Sequence, residues 1–317
     1  MNDIAVIGFA QSSHSEALVP VFEQALQDAG LGRREVDFWC SGSSDYLAGR
    51  AFSFVSAVDA IGAVPPISES HVEMDAAWAL YEAYLKILAG EAETAVVYGF
   101  GRGTAGDLNR VLALQTDPYT VAPLWPDAIS LAALQARLAL EAGLFTEQDM
   151  ADVAGGDLAH PYTATPLREH DVAPVADGAS AVVLAARDRA TRSRERPAWI
   201  TGIAHRVDRQ GFGERDLTTV PSATAAAVDA GLGPDVDVAA LHAPFTHQEL
   251  LLRRALGLGG GVRYLPNTGN AMFSGGLSRI GAAAAEIRSG RARTAVAHAT
   301  SGPLLQQNLV CTLGGLS

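Results

Sequence analysis

Apolar residues fall along this chain in short runs that end at a glycine or a polar residue, and longer stretches between them carry apolar side chains at helical spacing. Ile4-Ala-Val-Ile-Gly8 is too short for a helix and predicts a buried strand. Leu18, Phe22, Ala25, Leu26 and Ala29 share one face of a helix that stops at Gly30, and Val36-Asp-Phe-Trp-Cys40 returns as a strand, so the chain opens as a βαβ unit. Ser41-Gly-Ser-Ser-Asp45 reads as a loop, 52–61 as a helix, and Pro65-Pro66 as a break. The stretch 75–88 is a small-residue helix that is apolar nearly all round, which predicts burial inside the molecule. A buried central helix fits a layered α/β/α/β/α body. Further helices are predicted over 127–142 and 222–230, strands over 198–203 and 238–242, and a polar connection over 155–169.

The same pattern occurs twice. Lys86-Ile-Leu-Ala-Gly-Glu-Ala-Glu-Thr-Ala-Val-Val-Tyr98 matches Glu286-Ile-Arg-Ser-Gly-Arg-Ala-Arg-Thr-Ala-Val-Ala-His298, and Asp28-Ala-Gly-Leu-Gly32 recurs as Asp229-Ala-Gly-Leu-Gly233. A period this long excludes a solenoid and predicts two similar halves related by a pseudo-twofold, 1–190 and 191–317. The charged stretch 187–197 is the joint between them, and Tyr98 and His298 take equivalent places at the ends of equivalent strands.

Composition narrows the function. A net charge of −12 with no basic run argues against nucleic acid or an anionic membrane as partner. The first residues lack the features of a signal peptide and no run reaches the ~20 apolar residues of a membrane span, so the cytoplasm is the expected location. Cys40 and Cys311 make no disulfide framework or metal spacing and read as buried thiols. Tyr98-Gly-Phe-Gly-Arg-Gly-Thr-Ala-Gly106 is rich in glycine but neither follows the first strand nor carries Gly-Lys-Ser/Thr, so it is not read as a nucleotide loop.

Asp177-Gly-Ala-Ser-Ala-Val-Val-Leu, His242-Ala-Pro-Phe and Asn270-Ala-Met-Phe-Ser-Gly-Gly, set in duplicated halves, resemble the thiolase superfamily. Trp39-Cys-Ser-Gly-Ser-Ser-Asp-Tyr-Leu-Ala-Gly49, Glu69-Ser-His-Val-Glu-Met-Asp-Ala-Ala-Trp78 and His298-Ala-Thr-Ser-Gly-Pro-Leu-Leu-Gln-Gln307 are similar to its lipid-transfer-protein branch, related to the thiolase part of sterol carrier protein x. The resemblance implies a duplicated five-layered α/β/α/β/α fold, a dimer paired through an edge strand of the first half, and an acyl thioester as substrate in lipid metabolism. The thioester would sit on coenzyme A or a carrier protein, with no cofactor and no metal. The loop after Met150 and the segment before Asn270 are short for the family, which removes much of what contacts coenzyme A.

Thiolases use a nucleophilic Cys at the start of the central helix, and counting back from Gly90 places Glu73 there. Without a thiolate no acyl-enzyme is expected. Family motifs are altered elsewhere to His242-Ala-Pro-Phe245 and Gly269-Asn-Ala271, and His298 stands where an acid/base Cys is usual. The resemblance therefore implies that His242, Asn270 and His298 converge on a thioester carbonyl, able to polarise it and move a proton. The set suits retro-aldol cleavage of a β-hydroxyacyl thioester, His242 and Asn270 holding the enolate and His298 or Tyr98 acting as base.

Plainer readings stand beside these. Glu73 is read also as the cap of a buried helix start, His242 and His298 are read against satisfied core histidines, His71 against packing, and His247 as a surface or capping group. A second functional class is a catalytically silent subunit paired with a thiolase-like paralogue or a zinc-ribbon/OB-fold accessory protein. Acetyl-CoA acyltransferase activity is the third.

Overall fold

The computed structural model describes residues 4–13, 18–45, 52–62, 68–105, 107–114, 116–193, 196–267 and 269–315. The proline pair at 65–66 and His14 lie outside the described residues. Strands are β1 (Ile4–Ser12), β2 (Phe38–Gly42), β3 (Glu69–Val72), β4 (Thr94–Arg102), β5 (Tyr162–Ala164), β6 (Leu167–Arg168), β7 (Asp177–Ala186), β8 (Ala198–Val207), β9 (Val238–Leu241), β10 (Arg263–Tyr264), β11 (Thr294–Ser301) and β12 (Gln307–Gly314). Helices are α1 (Leu18–Ala29), α2 (Val58–Ile61), α3 (Ala76–Leu88), α4 (Leu108–Leu114), α5 (Ala128–Glu141), α6 (Glu147–Ala154), α7 (Arg187–Ala190), α8 (Pro221–Asp229), α9 (Thr246–Ala255) and α10 (Gly275–Arg288).

Ten strands form one mixed sheet in the order β10-β9-β11-β12-β8-β1-β7-β4-β2-β3. The order reads alike from both ends, and the two runs join where β1 meets β8 through Ala5 opposite Trp199 and Val6 opposite Ala198. Register repeats as well: Tyr98 lies opposite Ser41 and Ala181, and His298 opposite Leu241 and Val310. A polar latch repeats with it. Asp37 accepts from Glu93 N–H at 2.9 Å and Thr94 N–H at 3.0 Å, and Asp237 accepts from Arg293 N–H at 2.7 Å and Thr294 N–H at 3.3 Å. Each latch ties the turn after a central-layer helix to the start of the neighbouring strand, which fixes where β4 and β11 begin.

The layers follow from the small side chains. Ala76, Ala77, Leu80 and Ala83 of α3 pack with Leu277, Ile280, Ala283 and Ala284 of α10, and the inward residues Cys40, Val97, Ala297 and Cys311 cover this pair from both sides. Alanine at these positions lets backbones approach closely, and truncating a buried Leu or Ile here would cost about 2–5 kcal/mol. Outside, α1 and α2 cover Val96, Tyr98 and Val183, while α8 and α9 with parts of α5 and α6 cover Leu241, Val296 and Val310. The result is the five-layered α/β/α/β/α arrangement.

Asp75 joins the two central helices. It is the N-cap of α3, accepting from Ala77 N–H at 2.8 Å, and it also accepts from Gly276 N–H at 2.8 Å and Leu277 N–H at 3.1 Å in the first turn of α10. One carboxylate thus satisfies orphan donors of both helices, the role expected of Glu73. Glu73 itself precedes the helix, between β3 and the cap.

Other expectations are corrected. The predicted helix over 52–61 divides into a 3-10 stretch, Ser53–Ala57, and the single turn α2. Helix α6 was not read from the sequence, although Thr146 and Asp149 form a reciprocal capping box at its start. The polar connection after it contains the hairpin β5-β6. Among the described residues no helix is long and apolar enough to cross a membrane.

Candidate functional site

A cavity of about 590 Å³ opens where β3, β9 and β11 end, lined among others by Glu73, Met74, Asp75, His242, Asn270 and Phe245. Residues of α4 and α5 and the turn 300–307 complete its walls, largely with leucines. Strand ends from both halves of the sheet therefore meet around one space, as ligand sites in open α/β sheets do.

His242 follows the last residue of β9, and its N–H donates to His298 C=O at 3.1 Å, extending the parallel ladder by one step. That bond fixes the backbone from which the imidazole projects. The residue is 6% exposed, and its ring nitrogens make no hydrogen bond of good geometry, the Asn270 side chain lying close enough to favour the protonated ring. Burial, then the nearby Arg279 charge and His298, push its pKa down to about 3. The ring is neutral near pH 7, with one N–H to donate and one lone pair to accept.

Asn270 is held by its backbone, its N–H donating to Pro174 C=O at 2.9 Å and its C=O accepting from Ala176 N–H at 3.0 Å. Its side-chain Oδ1 is buried without a well-formed hydrogen bond. Buried polar atoms without a well-formed hydrogen bond are costly, and three on the wall of one cavity mark it as a place where a ligand's polar group belongs.

Glu73 brings a carboxylate. Its Oε1 accepts from Asp45 N–H at 2.6 Å and its Oε2 lies 3.2 Å from His71 Nε2, while His71 Nδ1 lies 3.0 Å from Ser41 Oγ. Ligand atoms of Asp45, His71 and Glu73 lie within 4.8 Å of one another, a donor set a divalent cation could use. Asp45 is already engaged, taking Phe52 N–H and Ser53 N–H at 2.8 Å each. Glu73 and Asp75 are the carboxylates lining the cavity among the described residues. Asp75, pushed up to about 6 by burial against its three N–H bonds, is held by those bonds, whereas each Glu73 oxygen has one neighbour and keeps a lone pair for another.

Two expected members stand elsewhere. His298 alternates with Ala297 and Ala299, which face the central layer, so its ring points to the outer layer and does not line the cavity. Its Nε2 is 2.8 Å from Asn308 Oδ1, and Asn308 donates through its amide nitrogen to Ser222 Oγ at 2.6 Å and Leu305 C=O at 2.7 Å. Those two acceptors orient the amide and place the His298 proton on Nε2. The expected convergence of His298 with His242 and Asn270 does not occur, because strand alternation sends the two imidazoles to different places. Tyr98 turns outward in the same way and packs edge-on against Phe22, ring centroids 4.9 Å apart, with burial pushing its phenol pKa up.

His247 is not a surface group. It is fully buried, its Nε2 lies 3.3 Å from Gln135 Oε1, and burial pushes its pKa down to about 3. Cys40 and Cys311 are buried and neither lines the cavity. Burial pushes both thiol pKa values up, that of Cys311 to about 12, so neither supplies a thiolate near neutral pH. Asp75 and the buried ring atoms of His242 carry information that spacing alone did not; Asp75 before Ala-Ala-Trp is an N-cap signal that could have been read.

No protein-family model and no curated protein match the chain. Solved structures do. The Ltp2-ChsH2(DUF35) aldolase superposes with a TM-score of 0.77 at 18% identity, over 99% of this chain and 98% of that one. The Bacillus anthracis acetyl-CoA acetyltransferase gives 0.78 at 15% identity over 100% and 99%, and human mitochondrial 3-ketoacyl-CoA thiolase 0.71 at 16% over 99% of each. At these identities the likeness establishes the fold: the chain has the thiolase fold, shared by an aldolase and by thiolases.

Proposed function

We propose that this thiolase-fold chain cleaves a carbon–carbon bond in a β-hydroxyacyl thioester by a retro-aldol route without an acyl-enzyme. The observation that carries it is His242, a neutral, buried imidazole beside the Asn270 side chain on the wall of a cavity that contains no thiol. The Glu73 carboxylate takes the proton of the β-hydroxyl, a carbonyl forms at the β-carbon, and the α–β bond breaks. Its electron pair passes into the thioester as an enolate, whose oxygen receives hydrogen bonds from His242 and the Asn270 amide. Reprotonation of the enolate carbon releases the shorter acyl thioester and an aldehyde or ketone. A neutral imidazole donor suits an enolate because it stabilises the charge without surrendering a proton first. The general base belongs to Glu73 in this scheme, since His298 and Tyr98 point away from the cavity.

The thioester is carried on coenzyme A or on a carrier protein, and β3, one of the two edge strands of the sheet, has no further strand beside it among the described residues and would pair with a second copy or a paralogue. An aldolase neighbour whose name includes a second component, ChsH2(DUF35), supports a heteromeric partner such as a zinc-ribbon/OB-fold protein. Acyltransfer through a cysteine has no support in the placement of Cys40 and Cys311.

The test is incubation of the purified chain with 3-hydroxyacyl-CoA substrates, following the shorter acyl-CoA and the released carbonyl compound by mass spectrometry. Cleavage that falls about 10²–10⁴-fold in Glu73→Gln is expected. A silent subunit would instead show turnover only when a partner is added, unchanged by Glu73→Gln and His242→Ala, and that result would replace the enzyme reading.

A further inference from the structure

His242 also lines a second cavity, of about 260 Å³, together with Arg279, Asn267, Ser278 and Asp177. Arg279 is 8% exposed, and its guanidinium donates through Nη1 to Pro266 C=O at 2.7 Å. No carboxylate among the described residues lies within ion-pair distance of it. Glu249, whose charge acts on it, is already paired with Arg253. Asp177 lines the same cavity, but its two oxygens take Thr104 N–H at 3.1 Å and Thr104 O–H at 2.8 Å.

Two other buried arginines are neutralised, Arg288 by Asp28 and Arg168 by Glu147, whereas Arg215 gives two of its donors to the carbonyls of Leu304 and Pro303. A guanidinium carries five donors and a permanent charge; Arg279 gives one donor to a carbonyl, and the others are not sealed inside the protein, so they are open to an anion from outside. Space is available beside it. Asn267 donates through its amide nitrogen to Ala243 C=O and keeps Oδ1 buried without a partner, so it would accept a hydrogen from a ligand.

We propose that the second cavity binds a small oxyanion, a carboxylate or a phosphate, seated on Arg279 beside His242. Two oxygens would meet the planar guanidinium fork, and a hydroxyl on the ligand would meet Asn267 Oδ1; hydrogen phosphate and an α-hydroxy carboxylate each carry both features. The volume, about 260 Å³, is ample for an ion of this size. An anion there would also weaken the positive field that Arg279 exerts on His242.

Titration calorimetry on the purified chain at constant ionic strength, with inorganic phosphate, lactate and chloride in separate runs, tests this. Saturable one-to-one binding of phosphate or lactate is expected, with chloride giving none. Binding of phosphate alone assigns the site to phosphate, and of lactate alone to a carboxylate. Arg279→Gln should weaken binding at least about tenfold, and Asn267→Asp, which adds a like charge to the cavity, should weaken it comparably. If Arg279→Gln does not fold, Asn267→Asp decides alone. No saturation by either oxyanion, equal binding of chloride, or binding unchanged in the folded variants overturns the proposal. The readout is binding and not turnover, so its failure leaves the thioester chemistry standing.

Discussion

The imidazole of His242 occupies the space that a side chain on Gly275 would take: a Cβ there would come within 2.8 Å of Nε2 and 3.1 Å of Cε1. The Nε2 edge of the ring thus lies against the start of α10. Gly275→Ala should move the ring rather than delete it, and a displacement near 1 Å costs about 10²-fold in turnover when the group positions a reacting atom. Thiolester cleavage and melting temperature measured together check this, the expected pattern being a large fall in kcat with a stability loss of about 1–3 kcal/mol.

Removing His298 should act on stability instead of chemistry. His298→Ala strands Asn308 Oδ1 and leaves a void beside Val310, a loss of roughly 2–4 kcal/mol in denaturant unfolding. The folded fraction should cleave substrate at close to the normal rate. A large fall in kcat at full occupancy of the folded state would return His298 to the catalytic set.

No acyl-enzyme should form. Intact-mass spectra after incubation with acyl-CoA are expected to show unmodified protein, and iodoacetamide should leave the native chain unalkylated, because both thiols are buried with raised pKa values. Cys40→Ala and Cys311→Ala should keep cleavage near the parental rate, and an acyl adduct on either cysteine would reject the non-covalent route.

Stability should fall in mild acid. Burial holds His242 and His247 down to about 3 and His298 to about 4, and holds Asp75 up to about 6. Counting these four groups alone, near pH 5 the unfolded chain binds three imidazole protons that the folded chain lacks, while the folded chain keeps one on Asp75 that the unfolded chain has lost. Two net protons give a loss of about 2.7 kcal/mol per pH unit as pH falls from about 6 toward 4. Asp75 alone has the opposite sign, its buried charge lowering stability as pH rises through about 4 to 6. Urea unfolding across this range measures the slope, and His247→Gln should reduce it by about 1.4 kcal/mol per pH unit.

Asp75→Ala should cost at least about 2 kcal/mol, since it leaves three buried N–H groups at two helix starts without an acceptor. Hydrogen exchange at Ala77, Gly276 and Leu277 checks the mechanism: all three amides should exchange faster, in both halves, from one substitution.

The architecture was legible in the sequence because the repeat is local in kind. Lys86 to Tyr98 and Glu286 to His298 each encode helix, glycine stop and strand, and these elements fall in matching register. His242 and Asn270 could be read from altered motifs, and they do share a cavity wall. Side-chain direction was lost. Ala295, Ala297 and Ala299 already alternate with Val296 and His298, so period two would have sent His298 outward had it been weighed above the motif. The burial of His247 and the double cap of Asp75 depend on contacts across more than a hundred residues, to Gln135 and to Gly276, which no window along the chain contains.

Counted by the repeat, Asp75 of the first half corresponds to Gly275 of the second, and Gly42 at the end of β2 corresponds to His242 after β9. In one half the strand end is empty and the helix start carries the functional group; in the other the assignments are exchanged. A Cβ on Gly42 would collide with the backbone of Ala76, just as one on Gly275 would collide with His242. The two halves have thus become mutually dependent. Neither could be replaced by a copy of the other, because a molecule with two first halves would have two caps and no imidazole, and one with two second halves would have two imidazoles and no shared carboxylate to tie their helices together.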